Sequence, residues 1–302
     1  MKRVATMEDY MRQTANALID QFIDDGECEF MQSMAIPMPV MMIAEQLGAD
    51  KSEWKTFKRW TDAFEDRIAG TMGKERELEC AQLVVDFQHY MFEKLEARKT
   101  NPQDDLLTDL VQARIDGEQP LTDAELLSIC QQLMVAGNET TTNTMAGGLL
   151  LLIQNAAEQA KARDNRKLIP NMVEEILRLE SATSGMWRVV LDDTELEGVQ
   201  IPKGSMLHLR YAAGSRDPEE FENPSAFIAD RKTANKQMAF GQGIHVCVGQ
   251  MLSRKELAVA YDILFDRMEN IKLAEGKNCL THMPNMMLRG LKSLHITFDK
   301  KA

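Results

Sequence analysis

The chain has 302 residues, of which 44% are hydrophobic and 27% are charged, so it is long enough to bury a sizeable core. Its net charge of -12 argues against nucleic acid as the main partner. The sequence contains no apolar run long enough for a membrane span. Its five cysteines form no C-x-x-C pair, which argues against a zinc cluster or a disulfide framework and predicts a cytoplasmic protein.

The first two thirds of the sequence show the spacing of apolar residues that is typical of helices. The predicted helices cover residues 4–23, 40–47, 51–68, 74–99, 105–114, 123–154 and 171–180. An aromatic stripe from Trp54 to Phe64 is expected to pack in the core, with a cavity wall as the alternative. The longest helix begins at a capping box of Thr122 and Glu125 and is apolar on most sides, which predicts a central position.

The pattern changes near residue 187. Short apolar segments alternate with Gly and Asp turns, which predicts antiparallel strands around 189–191, 199–201 and 207–209. A last strand pair is predicted within 291–298. The expected fold class is therefore mainly α with a small antiparallel β part, in one domain over residues 1–302.

The most informative stretch is the loop 240–249, which has the sequence F-G-Q-G-I-H-V-C-V-G. Its glycines, Gly241, Gly243 and Gly249, predict backbone angles or close approaches that a side chain would forbid. An amphipathic run follows at once, so Cys247 lies just before a helix N-terminus, where free N–H groups and the helix dipole favour a thiolate. Such a thiolate suits a soft metal or a haem iron. The alternative interpretation is that Cys247 is a buried structural cysteine.

A second unusual stretch lies inside the longest predicted helix, where residues 136–142 are A-G-N-E-T-T-T. A glycine, a charged residue and three β-branched residues are poor choices for a buried helix interior. Threonine hydroxyls can donate to the carbonyl one turn earlier and bend the helix. Glu139 and Thr140 form an acid–alcohol pair suited to proton delivery, and Ala136 and Gly137 leave space for a ligand. The alternative is a glutamate that reaches solvent at a helix kink.

A third pattern, E-x-x-R from Glu175 to Arg178, places opposite charges three residues apart on one face of a predicted helix. By itself this pattern is typical of an ordinary surface ion pair. Its position between the two other stretches gives it more weight.

Together, these stretches resemble the motifs of the cytochrome P-450 family, in the order that the family requires. The loop matches F-G-x-G-x-H-x-C-x-G at every fixed position, and the helix matches A-G-x-E-T in full. The resemblance extends over essentially the whole chain and implies the cytochrome P-450 fold of the bacterial soluble type. It implies haem b (iron protoporphyrin IX) as cofactor, with Cys247 as the axial thiolate and Thr140 and Glu139 as the catalytic residues that deliver protons.

The resemblance also assigns supporting residues. Arg188 and His245 are expected to bind the haem propionates, while Glu175 and Arg178 form a structural ion pair. Residues expected against the cofactor are Phe240, Gly241, Ala136 and Gly137. Residues expected in the substrate pocket are Val135, Ser184, Met186, Met287 and Leu288.

Two turns near the predicted ion pair depart from the family pattern. Residues 224–227, P-S-A-F, lack the arginine of the family's P-x-R-F motif, which normally joins the Glu–Arg pair. Arg231 is near enough in sequence to replace it, but the pattern does not predict that it does. Residues 215–218, S-R-D-P, resemble the family's N-R-D-P turn and are interpreted as structural.

The implied activity is a monooxygenase reaction, which inserts one oxygen atom of dioxygen into a small hydrophobic substrate such as a terpenoid, steroid, fatty acid or aromatic compound. Because the chain has no flavin or nicotinamide fingerprint, electrons are expected from a ferredoxin or flavodoxin-type donor. The predicted docking patch for this acidic donor consists of Arg231, Lys232, Lys236, Arg254 and Lys255.

Two alternatives differ in chemistry. A peroxide-driven haem-thiolate peroxygenase would use the same cysteine, but that branch of the family replaces the acid–alcohol pair. A non-catalytic or inactive fragment is the other alternative, because the resemblance begins at the family's D helix, near Lys2. We therefore expect the 302-residue chain alone to bind haem weakly or not at all.

Overall fold

The computed structural model describes residues 2–69, 72–115, 119–283, 285 and 287–301. The chain forms two compact units. We call Gln32–Thr142 the helical unit, and Met1–Met31 together with Asn143–Ala302 the cysteine-loop unit.

Helices account for most of the described residues. They are α1 Lys2–Thr6, α2 Glu8–Ile19, α3 Pro37–Gln46, α4 Trp54–Ala69, α5 Lys74–Thr100, α6 Leu106–Gln112, α7 Asp123–Gln154, α8 Ala156–Asp164, α9 Ile169–Leu179, α10 Tyr211–Gly214 and α11 Gln250–Arg267. The strands are β1 Glu27–Glu29, β2 Arg114–Ile115, β3 Gln119–Pro120, β4 Met186–Val189, β5 Thr194–Leu196, β6 Val199–Ile201, β7 Met206–Leu209, β8 Met268–Leu273 and β9 His295–Lys300. All the strand pairs are antiparallel, so the predicted fold class is confirmed.

Helix α7 has the predicted bounds, and its N-terminus carries the predicted capping box. The N–H of Glu125 donates to Oγ1 of Thr122 at 3.3 Å, and the N–H of Thr122 donates to Oε2 of Glu125 at 2.8 Å. These two bonds satisfy donors that the first helical turn leaves without an intrahelical partner.

Three predictions of local structure were wrong. The helix expected over 4–23 is two helices, and α2 ends at Ile19. Helix α8 was missed because it has no apolar stripe and buries only Ala162. The strand pair expected within 291–298 is one strand, β9, which pairs with β8 and β1. Both partners are distant in sequence, so no local pattern indicates them.

An aromatic cluster forms the core of the helical unit. Phe57 and Trp60 of α4 are buried and lie edge to face with ring centroids 5.2 Å apart. Phe87 of α5 packs edge-on against Trp60 at 5.6 Å and against Phe64 at 5.6 Å. The aromatic stripe of α4 therefore serves core packing, as predicted, and it joins α4 to α5.

The cysteine-loop unit is built around α11, which packs against α2 and α9. Tyr261 of α11 is fully buried, and its hydroxyl donates to the carbonyl of Met145 in α7 at 2.9 Å. A β-carbon on Gly148 would lie 2.2 Å from this hydroxyl, so close packing explains that glycine. None of the helices in the described ranges is both long and apolar enough to cross a membrane.

We expect Phe87→Ala to reduce the free energy of unfolding by about 3–5 kcal/mol, because Phe87 is 0% exposed and its loss leaves a cavity between α4 and α5. Urea unfolding followed by circular dichroism measures this change. Phe92→Ala on the same helix is the control, since Phe92 is 41% exposed and should cost about 0.5 kcal/mol or less. Equal losses in the two variants would contradict this account of the core.

Candidate functional site

The loop 240–249 is closed by backbone hydrogen bonds. The N–H of Cys247 donates to the carbonyl of Phe240 at 3.0 Å. Gly241 and Gly243 have φ angles of 64° and 76°, in the left-handed region, which explains both glycines as predicted. Gly249 has an ordinary φ of -81°, and a β-carbon there would lie in normal contact, 3.8 Å from the Cys247 sulfur. The prediction that Gly249 provides a backbone angle or a close approach that a side chain would forbid is therefore wrong.

Cys247 is half-buried immediately before α11, as the sequence predicts. Burial raises the pKa of its thiol above the usual value, although hydrogen bonds from the N–H groups of Gly249 and Gln250 and the charge of Arg254 act in the opposite direction. The N–H groups at the start of α11 thus favour the thiolate, as expected, but burial opposes them. A metal cation bound to the sulfur would supply the missing stabilisation of the anion.

A buried charge cluster links α9 to the segment 215–239, which leads to the cysteine loop. Arg178 donates to Glu175 from Nε at 2.7 Å and from Nη2 at 2.8 Å. Arg231 donates to the same carboxylate from Nε, at 2.9 and 3.1 Å. The side chains of Glu175 and Arg178 are 0% exposed and that of Arg231 is 5% exposed. Arg231 therefore does replace the arginine that the motif lacks.

Main-chain carbonyls complete the charge cluster. Arg178 donates to the carbonyls of Ser215 at 2.9 Å and Ala226 at 3.0 Å. Arg231 also reaches the carbonyl of Ala226, at 3.0 Å. The Ser215 hydroxyl accepts the N–H of Met238 at 3.0 Å, which supports the structural interpretation of the S-R-D-P turn. The cluster thus fixes the path of the chain up to two residues before the cysteine loop.

A second contact reaches the cysteine loop itself from α9. Arg254 of α11 donates to Glu174 of α9 from Nη2 at 3.2 Å, and its guanidinium lies 4.5 Å from the ring centroid of Phe240. Gln237 also donates to Glu174, at 3.0 Å. Two side chains that flank the loop, Gln237 before it and Arg254 after it, therefore contact the same carboxylate of α9.

Two of the segments predicted to line the substrate pocket, 183–186 and 287–288, lie side by side in the cysteine-loop unit, whereas Val135 belongs to the helical unit. The N–H of Ser184 donates to the carbonyl of Met287 at 2.9 Å, and Thr183 forms a bridge with Leu288. Met186 begins β4 and is 36% exposed. The structure thus brings Ser184, Met287 and Leu288 together in this unit.

In the helical unit, residues 136–142 belong to an uninterrupted helix. The Thr140 hydroxyl donates to the carbonyl of Ala136 at 2.8 Å, one turn earlier, as predicted. A β-carbon on Gly137 would lie 2.4 Å from Cδ1 of Ile43 in α3. The space at Gly137 is therefore taken up by helix packing and not left for a ligand, so that interpretation was wrong. Its contact with a cofactor remains a prediction.

Glu139 is buried, and its carboxylate faces α4. Lys58 of α4 lies 3.6 Å from Oε2 of Glu139 and also forms an ion pair with Asp62. One residue earlier in α7, Asn138 donates to the Thr61 hydroxyl at 2.9 Å. Lys58 could not be predicted from the sequence, because the spacing of residues in α7 identifies a helix face but not the helix that packs against it.

A groove of about 540 Å³ in the helical unit contains two of the predicted residues, Val135 and Ala136. Its apolar wall is completed by Phe64, Ile68 and Val84. The polar side chains at its margin are Arg67, Gln88, Gln131 and Gln132. The groove is therefore mostly apolar, with polar groups that are able to orient a ligand.

The predicted basic docking patch is wrong at Arg231, which is buried in the charge cluster. Arg254 is occupied by Glu174, and Lys236 forms an ion pair with Glu220 at 2.7 Å. These contacts reduce the positive charge that the patch offers to a partner.

Comparisons with known proteins support the resemblance of the chain to cytochromes P-450. The model of the family described as cytochrome P-450 matches residues 49–294. The chain belongs to the cytochrome P-450 family. It is 33% identical over 300 residues to polyketide biosynthesis cytochrome P-450 PksS of Bacillus subtilis, covering 99% of this chain and 72% of the relative. It is 32% identical to the cytochrome P-450 monooxygenase PikC of Streptomyces venezuelae, covering 99% and 71%. The cytochrome P-450 fold is equally clear, since a Bacillus megaterium structure in complex with testosterone superposes with a TM-score of 0.90 at 30% identity, covering 98% of this chain and 79% of that one.

Cytochromes P-450 are haem monooxygenases, and the cysteine-loop unit fits a haem. The loop beside Cys247 exposes apolar side chains, with Ile244 at 97% and Val248 at 89%. Such a surface suits a flat apolar ring. His245 is exposed and Arg188 is half-buried on β4, so two donors of the kind that carboxylates require are present in the same unit.

We expect Arg231→Ala to reduce the free energy of unfolding by about 3–5 kcal/mol, because it leaves part of the buried Glu175 charge without a partner. The exposed neighbour Lys232 provides the control, and Lys232→Ala should change stability by about 0.5 kcal/mol or less. Urea unfolding of the two variants makes the comparison. A loss below 1 kcal/mol for Arg231→Ala would show that the cluster does not depend on its third member.

Proposed function

We propose that this chain inserts one oxygen atom of dioxygen into a small hydrophobic substrate, as a haem-thiolate monooxygenase with haem b as cofactor. The cysteine loop is the observation that carries the proposal. It presents one half-buried sulfur among exposed apolar side chains, and two networks from α9 hold it in place. We further propose that residues 1–302 act as one haem-thiolate domain.

Cys247 is the proposed axial ligand, and a haem bound there would supply the activation of dioxygen. The N–H groups of Gly249 and Gln250 hold the sulfur and stabilise its negative charge. Arg188 and His245 are the proposed donors to the two propionates. Phe240, Gly241, Ala136 and Gly137 are the proposed contacts of the ring. In each of these proposed roles the chain would bind and orient the haem and keep water away from it.

Glu139 and Thr140 are the proposed proton-delivery residues. Glu139 is a buried carboxylate held by Lys58, and Thr140 is the next residue in α7. In this conformation the Thr140 hydroxyl donates to the carbonyl of Ala136, so its oxygen lone pairs can accept a proton from a donor. The presence of this acid–alcohol pair favours a reaction that consumes protons and dioxygen over one that begins with peroxide.

The proposed substrate is a small hydrophobic molecule. The apolar wall of the groove at Val135 and Ala136 supports this assignment, as do the apolar segments at Met186, Met287 and Leu288. Ser184 is the polar member of the proposed pocket. The relatives also suggest apolar ligands, since one is named for polyketide biosynthesis and one was solved with testosterone.

Electrons are proposed to come from a ferredoxin or flavodoxin-type donor. The family requires an external source of electrons, and the chain has no nucleotide-binding fingerprint of its own. Lys232 is exposed and remains a candidate for docking, whereas Arg231 is buried and Lys255 forms an ion pair with Glu8.

The proposal predicts a strongly red-shifted Soret band when the haem-loaded chain is reduced and exposed to carbon monoxide, because a thiolate ligand donates charge to the iron. Cys247→Ser should abolish this band. Cys279→Ser is the control, since Cys279 is exposed and should leave the band unchanged. A red-shifted band that survives in Cys247→Ser, or is absent from the haem-loaded parent chain, would contradict the assignment of Cys247.

A further inference from the structure

An unusual group of charges faces Glu139 from α4. Lys58, Asp62 and Glu65 are spaced four and three residues apart, so they share one face of that helix. The side chains of Lys58 and Glu139 are 22% and 8% exposed, and Oε1 of Glu65 is buried. One ammonium group therefore lies among three carboxyl groups in a mostly buried cluster.

The charges in this cluster do not balance if all the groups are ionised. Lys58 contributes one positive charge, whereas Asp62, Glu65 and Glu139 would contribute three negative charges. Burial makes such an excess costly, and the usual solution is that one carboxyl group keeps its proton.

The contacts identify the group that keeps the proton. Asp62 forms an ion pair with Lys58, and its side chain is 42% exposed. Glu139 also lies within ion-pair distance of Lys58. Oε1 of Glu65 has no hydrogen-bond partner among the residues that the structure describes. Glu65 is thus the carboxyl group with the least stabilisation of its charged form.

We propose that Glu65 is a positioning residue that stores a proton beside Glu139 and supplies it for proton delivery. The step is a transfer of one proton from the Glu65 carboxylic acid to the Glu139 carboxylate, which passes it to the Thr140 hydroxyl as that hydroxyl gives up its own proton. Glu65 then recovers a proton from solvent. This inference rests on the proposed function of Glu139, but the protonation of Glu65 can be measured independently.

The electrostatics agree with this assignment. Burial, together with the charges of Glu139, Asp62 and Asp66 and against the opposing charge of Lys58, raises the pKa of Glu65 to about 8. The remaining acidic neighbour, Asp66, has its own partner, since Arg76 of α5 lies 2.7 Å from its carboxylate. A glutamic acid with this pKa is protonated at neutral pH and can still release its proton, which suits a relay.

Infrared spectroscopy tests the stored proton without any turnover. At pH 7 the chain should show a protonated-carboxyl C=O band that is missing in Glu65→Gln and that titrates near pH 8. Glu256 of α11 is an internal reference, because both its carboxyl oxygens are buried, neither has a hydrogen-bond partner in the described ranges, and burial raises its pKa far above the usual range. Its band should persist in Glu65→Gln. The exposed Glu77→Gln is the matched control and should retain both bands.

Stability provides a second readout, and its sign follows from linkage. The folded chain holds the Glu65 proton between the usual glutamate pKa of about 4.5 and the raised value of about 8, whereas the unfolded chain releases it. The contribution of Glu65 to stability therefore falls as pH rises through this window. Glu65→Gln removes this dependence, so its Tm relative to the parent chain should rise between pH 5 and pH 9. A parallel pH dependence in the two proteins would overturn the proposal.

Turnover by the haem-loaded enzyme distinguishes a failure of the inference about Glu65 from a failure of the proposed function. If Glu65 supplies protons, Glu65→Gln should divert reducing equivalents to peroxide, as Thr140→Ala should, and the loss of coupling should depend on pH. If Thr140→Ala is uncoupled but Glu65→Gln is not, and no carboxyl band disappears, the inference about Glu65 fails while the proposed function stands. If the parent enzyme consumes no dioxygen, the proposed function fails, and the infrared band still decides whether Glu65 holds a proton.

Discussion

The buried carboxylate of Glu175 is the constraint on which the cysteine-loop unit depends. Arg178 and Arg231 both donate to it, and both also donate to main-chain carbonyls of the segment that leads to the cysteine loop. A carboxylate at 0% exposure is stable only while these partners remain. The segment therefore has one path that satisfies the charges, and Cys247 is presented at the end of that path.

Glu175, Glu256 and Glu65 each bury at least one carboxyl oxygen and show three different solutions to the same physical problem. Glu175 lies between two guanidinium groups, which pair with its carboxylate. Neither carboxyl oxygen of Glu256 has a hydrogen-bond partner among the described residues, so burial raises its pKa and favours the neutral acid. Glu65 is intermediate, because Lys58 partly offsets the effect of burial. Glu175 is therefore suited to a structural role, Glu256 to packing as a neutral group, and Glu65 to the release of a proton.

The sequence predicts best where the physical signal is local. The bounds of α7 follow from its capping box and apolar pattern, and the cysteine loop follows from glycines whose positive φ angles the structure shows at Gly241 and Gly243. Prediction fails where the partner is remote. Arg231 meets Glu175 across 56 positions, and Lys58 meets Glu139 from another helix. Gly137 was misinterpreted for the same reason, since its neighbour Ile43 is invisible in the local sequence.

The central claim is that this chain uses dioxygen, with protons delivered by Glu139 and Thr140. Isotope labelling tests it most directly: the haem-loaded enzyme, a reducing partner and a panel of terpenes, steroids and fatty acids are supplied with ¹⁸O₂ in the presence of unlabelled hydrogen peroxide. The account predicts a product that carries one ¹⁸O atom and no product when the reductant is omitted. An unlabelled product that forms without reductant would contradict it and would identify a peroxide-driven enzyme.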